Sequence, residues 1–187
     1  MEKTPAKIMF EFDKEKAKQV VLWLLHRNNG SMNKLKLIKL MFFADREHLA
    51  KYGRPIVGGT YYTMKLGPVS SELLDLVNQT GADLDAESAP FENRGRFELV
   101  AREAPDEECL SESDRAVLDD IYHQYKYYNE FRLSDESHKL KAYTKNEPPR
   151  DGRAELPYED FFEDLDEQSR KTLEMIIDEQ KAWTDFK

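Results

Sequence analysis

The chain has a single cysteine, Cys109, among its 187 residues. That excludes an internal disulfide framework and fits a reducing, cytoplasmic setting. The acidic surroundings of Cys109, DEECLSES, raise a thiol pKa, so it is expected to be a poor nucleophile. Four histidines (His26, His48, His123 and His138) are scattered without metal-ligand spacing, and no C-x-x-C pair exists, so no metal is expected. Gly53, Gly58 and Gly59 do not have the spacing of a phosphate-cradling loop. No apolar run approaches the roughly 20 residues that cross a bilayer. The stretch MEKTPAKIMFEF has no apolar h-region, so no leader is expected. No nucleophile, base and orienting group fall into a recognisable set. The expectation is a chain with no cofactor, no metal and no catalytic residues.

What is present is ordinary in bulk and uneven in detail. A hydrophobic fraction of 40% with 35% charged residues describes a soluble globular protein, and the length suggests one domain over residues 1–187. The net charge of −9 divides unequally. Residues 1–65 hold 13 Lys and Arg against 6 Asp and Glu, a balance of +7, while residues 66–187 hold 15 against 31, a balance of −16. An acidic protein is a poor non-specific nucleic-acid binder, since phosphate neutralisation supplies most of that affinity.

Helical spacing of Ala17, Val20, Val21, Leu24 and Leu25 predicts a first helix over Lys14–Arg27. Asp13 is its N-cap, and Asn28-Asn29-Gly30 its stop. Ser31 or Asn33 then caps a second helix running to about Tyr52. Its apolar residues cover nearly the whole circumference and leave Lys36, Lys39, Arg46 and Glu47 in a narrow polar wedge. Such a helix is central and mostly buried. Thr60–Leu66 reads as a short strand, and Pro68 as the first turn of a third helix ended by Gly81. Residues 82–95 read as a loop, and Arg96–Arg102 as a strand pairing with the first. Ser111-Glu112-Ser113-Asp114 is a capping box opening a fourth helix. Ser134 caps a fifth helix through about Tyr143, Tyr158–Leu165 forms a helical turn, and Asp166 caps a last helix containing Trp183. The fold class is mainly α with a small antiparallel β element.

The segment Lys34–Glu72, KLKLIKLMFFADREHLAKYGRPIVGGTYYTMKLGPVSSE, concentrates the unusual chemistry. Asp45 falls on the greasiest side of the second helix, among Ile38, Met41, Phe42 and Leu49. A buried carboxylate needs donors. Arg54, Lys65 and the hydroxyls of Tyr61 and Tyr62 are the candidates, with Asp45 acting as a clamp on the loop and strand that follow. Arg54, Tyr61, Tyr62 and Lys65 then form the candidate partner surface, since Tyr and Arg favour binding hot spots. A helix-turn-helix reading of the first two helices is disfavoured, because the second is apolar nearly all round. An enzyme built on Asp45 with Lys65 or Arg54 lacks a second activated group.

The block LIKLMFFADREHL followed by KYGRPIVGGTYYTMKLGPVSSEL resembles the signature of the Panacea domain, the SocA-like antitoxin family. The stretches LSESDRAVLDDIYHQY, LSDESH and LPYEDFFED are similar to its later parts. The resemblance implies a mainly helical fold and an antitoxin that binds and neutralises a cognate toxin. It also implies, as alternatives, an adaptor that delivers the toxin to a ClpXP-type protease or, further off, a DNA-binding regulator.

Overall fold

The computed structural model describes residues 7–79 and 89–185. Gly81 and the side chain of Trp183 lie outside the described residues. Helix α1 spans Lys14–Arg27, with the Asp13 carboxylate accepting from Lys16 N, and it ends where Asn29 and Gly30 take left-handed φ angles of 60° and 88°. A short strand β1, Ser31–Asn33, leads into α2, Lys34–Tyr52, whose N-cap is Asn33. Strands β2, Tyr61–Met64, and β3, Gly67–Ser70, form a hairpin that runs straight into α3, Ser71–Asn78. Strands β4, Phe91–Arg94, and β5, Glu98–Ala101, form a second hairpin. Helices α4, Glu112–Tyr125, α5, Glu130–His138, and α6, Lys141–Lys145, follow. A two-residue strand β6, Ala154–Glu155, a 3-10 turn over Tyr158–Phe162 and α7, Glu167–Asp185, complete the order.

The described chain is mainly α with two small antiparallel sheets, ordered β1-β5-β4 and β3-β2-β6. Helix α2 is the axis of the core. Twelve of its nineteen residues are buried, and α1 contributes seven more buried side chains. Helices α4, α5 and α7 and strand β3 all pack on α2. This follows from its near-complete apolar circumference, which leaves no single face for solvent. It also leaves no free face for reading bases, as a recognition helix must.

Several expectations need correction. Pro68 is not in a helix. It lies in β3 opposite Thr63, and α3 begins at Ser71 with Ser70 as its N-cap. The strand within 96–102 pairs with β1 and β4 rather than with β2, because the loop expected over 82–95 contains β4. Ser134 does not cap a helix. Asn129 does so, and Ser134 sits inside α5, donating its hydroxyl to Leu66 O at 2.9 Å. The capping box at Ser111 and Asp114 and the Asp166 cap are present as expected.

Candidate functional site

Everything of chemical interest is arranged along α2. The helix stops at Gly53, which has φ +73° and returns its N–H to Leu49 O at 2.9 Å. The chain then doubles back past Asp45. Backbone N–H groups of Ile56 (2.8 Å) and Val57 (3.0 Å) donate to Oδ1, and those of Gly58 (3.2 Å) and the Tyr61 hydroxyl (2.9 Å) donate to Oδ2. Four donors match the four lone-pair sites of a carboxylate. Burial pushes this carboxyl up to about 6, against the pull of those donors. Gly58 takes φ +73°, and a Cβ there would stand 2.5 Å from Glu11 O, so only glycine lets the two backbones meet. The next residues are held by a second carboxylate. Glu72 accepts from Thr60 N at 2.9 Å, Thr60 Oγ1 at 3.0 Å and Ser71 Oγ at 3.1 Å. Burial raises its pKa, but these bonds outweigh burial and hold it below the usual value. The irregular stretch Ile56–Thr60 is thus ordered by two carboxylates rather than by a ladder.

A second polar centre joins α1, α2 and α4 at Asp114, which is fully buried. It meets Lys16 Nζ at 2.6 Å, His48 Nε2 at 3.2 Å and Arg54 Nη1 at 3.2 Å, and accepts from Ser111 N at 3.0 Å. Burial raises its carboxyl, yet the Lys16 and Ser111 bonds win and depress it. His48 is held below its ordinary pKa by burial. Its Nδ1 lies 2.7 Å from Arg54 O, an atom that can only accept, so Nδ1 carries the proton and Nε2 faces Ser113 Oγ at 3.0 Å. A serine–histidine–carboxylate relay needs serine and carboxylate on opposite ring nitrogens. Here Ser113 and Asp114 share Nε2, so the cluster does not form that relay.

The third feature is Lys39. It was expected in the narrow polar wedge of α2, and it is 1% exposed because β3 lies over it. Its amine donates to Pro68 O at 2.7 Å, and burial pushes its pKa down to about 7. Gly67, at φ +99°, makes this approach possible. A Cβ there would lie 2.9 Å from Lys39 Nζ and would collide with Ser137 Oγ. The Gly-Pro pair therefore serves Lys39 rather than a helix start. The signal in sequence is faint: a lysine flanked by Ile38 and Leu40 on a mostly buried helix.

Of the four residues expected at a partner surface, Tyr61 is corrected. It is 1% exposed, packed among Phe42, Tyr158 and Phe161, and its hydroxyl belongs to Asp45. Arg54 is half-buried and turned to Asp114 and Ser111 Oγ, not to Asp45. Tyr62 is half-buried with the Arg153 guanidinium 4.1 Å from its ring centre. Lys65 is exposed at the turn of the first hairpin, beside Leu66.

A family model described as "Antitoxin SocA-like, Panacea domain" matches residues 37–144, more than half of the chain. The protein belongs to the SocA-like antitoxin family. The matched Panacea segment contains Lys39, Asp45, His48, Arg54, Glu72 and Asp114, so all three polar centres fall within it. Lys16, which completes the Asp114 cluster, and Tyr158, whose hydroxyl donates to Gly59 O at 2.8 Å, lie outside the Panacea match and brace it from either side. Comparison with curated proteins gave no match, and neither did comparison with solved structures. No described helix is long and apolar enough to cross a membrane, and no cluster of His, Cys, Asp or Glu among the described residues has the makings of a metal site.

Proposed function

We propose that this protein is the antitoxin of a toxin–antitoxin pair, that it acts as a single non-catalytic domain in the cytoplasm, and that it neutralises its toxin by direct protein–protein contact. The observation that carries this reading is the match to the SocA-like Panacea family across residues 37–144. The polar centres along α2 support it. Asp45, Glu72 and Asp114 each have their donors inside the protein. They are suited to shaping a rigid surface rather than to turning over a substrate. Asp45 is the clamp in this reading, and Arg54, Tyr62 and Lys65 are the surface groups, Arg54 held by Asp114 and Ser111 and Tyr62 lying against Arg153.

The test is co-expression with the product of the neighbouring reading frame. Growth should stop with that product alone and recover when this chain is present. A harmless neighbour, or toxicity that persists, removes the reading. Repeating the rescue in a host without ClpXP-type protease separates the two modes of neutralisation. Direct blocking predicts rescue in both hosts, whereas delivery for degradation predicts rescue only where the protease is present.

A further inference from the structure

Between α2, the β2–β3 hairpin and α3 lies an apolar cavity of about 290 Å³. Leu35 and Ile38 of α2, Met64 and Leu66 of the hairpin and Leu74 of α3 form its walls. We infer that this cavity is where the toxin docks, and that its occupant is an apolar side chain of the toxin carried beside a carboxylate. The inference rests on the antitoxin reading and adds to it a place and a chemistry.

Three observations carry it. The first is size. Pockets for drug-sized molecules run from about 300 to 1,000 Å³, so this cavity lies at the lower edge of that range, with room for one large side chain. Interface hot spots are commonly anchors of that kind set in pockets. The second is exposure. Leu66 stands 47% exposed on the rim, at the hairpin turn. With the apolar walls behind it, Leu66 belongs to a contiguous concave apolar surface, as interaction sites do, rather than standing alone. The third is charge. The cavity lining includes Lys39 and Lys65 and no acidic residue. Lys65 is exposed at the mouth, while the Lys39 amine is covered, 1% exposed, and bonded to Pro68 O. A cationic mouth with no acidic residue in the lining is complemented by a carboxylate on the partner. The occupant is therefore apolar at its tip and anionic beside it.

The experiment uses the full chain, the neighbour-encoded toxin and two fluorescent probes of similar shape. Anilinonaphthalene sulfonate is apolar and anionic, and N-phenylnaphthylamine is apolar and neutral. Both should brighten on binding, and the toxin should displace both. Leu66→Glu should abolish probe and toxin binding, and Lys65→Glu should weaken the toxin and the anionic probe about tenfold while sparing the neutral one. Both Leu66 and Lys65 are exposed, so either variant keeps the fold testable, and far-ultraviolet circular dichroism confirms it. If wild type binds the toxin and both rim variants bind as tightly, the docking inference falls while the antitoxin reading stands. If wild type does not bind the toxin at all, the antitoxin reading and the docking site fall together. Equal loss of both probes in Lys65→Glu overturns the charge requirement.

Discussion

Asp45 and Lys39 lie on the same buried helix, and the fold answers their charges in opposite ways. Asp45 is given four donors, three from one stretch of backbone and one from Tyr61. Lys39 is given one acceptor, the carbonyl of Pro68, and its pKa falls to about 7. A buried charge with a full set of partners holds structure together. One with an incomplete set is a cost that the rest of the fold must carry, and its retention asks for another use.

The sharpest way to break this contrast is Asp45→Ala. It strands four donors in the core and should cost about 3–5 kcal/mol in denaturant melts. A loss well under 1 kcal/mol would mean that the clamp does not organise the loop. Gly67→Ala comes next. A methyl group would be forced against Ser137 and Lys39 at a left-handed backbone position, for a loss of about 1–3 kcal/mol. If it is tolerated without loss, the close approach of the hairpin to α2 is not required.

Lys39→Met should move the other way, with a gain of about 1 kcal/mol at neutral pH, since an apolar side chain of similar length replaces an under-partnered cation. Its pH dependence has a definite sign. Between about 7 and 10.5 the unfolded chain, with an ordinary lysine, holds more protons than the folded one. Wild-type stability therefore rises with pH across that window. Urea melts at several pH values should show the slope in wild type and its loss in the Met variant. Equal slopes in wild type and the Met variant would show that Lys39 has an ordinary pKa. The smallest effect belongs to Arg54→Ala. Its side chain is 43% exposed, so the loss should stay below about 1 kcal/mol even though Asp114 is buried. A large loss would place Arg54 with Asp45 as a structural anchor.

Much of this was legible in the sequence, and the limits are physical. The bounds of α1, the caps at Asp13 and Ser111 and the burial of Asp45 follow from local spacing and capping chemistry, which the tertiary structure leaves intact. Pro68 misleads because proline suits both a helix start and a strand position whose N–H is not needed. The partners of β5 lie in β1 and in β4, and no local pattern specifies such pairing. Lys39 was invisible for a related reason. A helical wheel reports which residues share a side, but not that a strand will come to lie over the polar one. Tyr61 and Tyr62 are adjacent and chemically alike. The alternation of the strand sends one hydroxyl to Asp45 and leaves the other ring against Arg153.

Three of the four contacts to Asp45 come from the main chain. Such recognition is blind to side-chain identity. Ile56 and Val57 are themselves core residues, 3% and 2% exposed, so any apolar exchange that the core accepts there keeps the grip on Asp45, so long as neither becomes proline and removes the amide hydrogen. Loop and helix can then diversify on their outer sides while the geometry that joins them stays constant. That separates what must be kept from what can be varied.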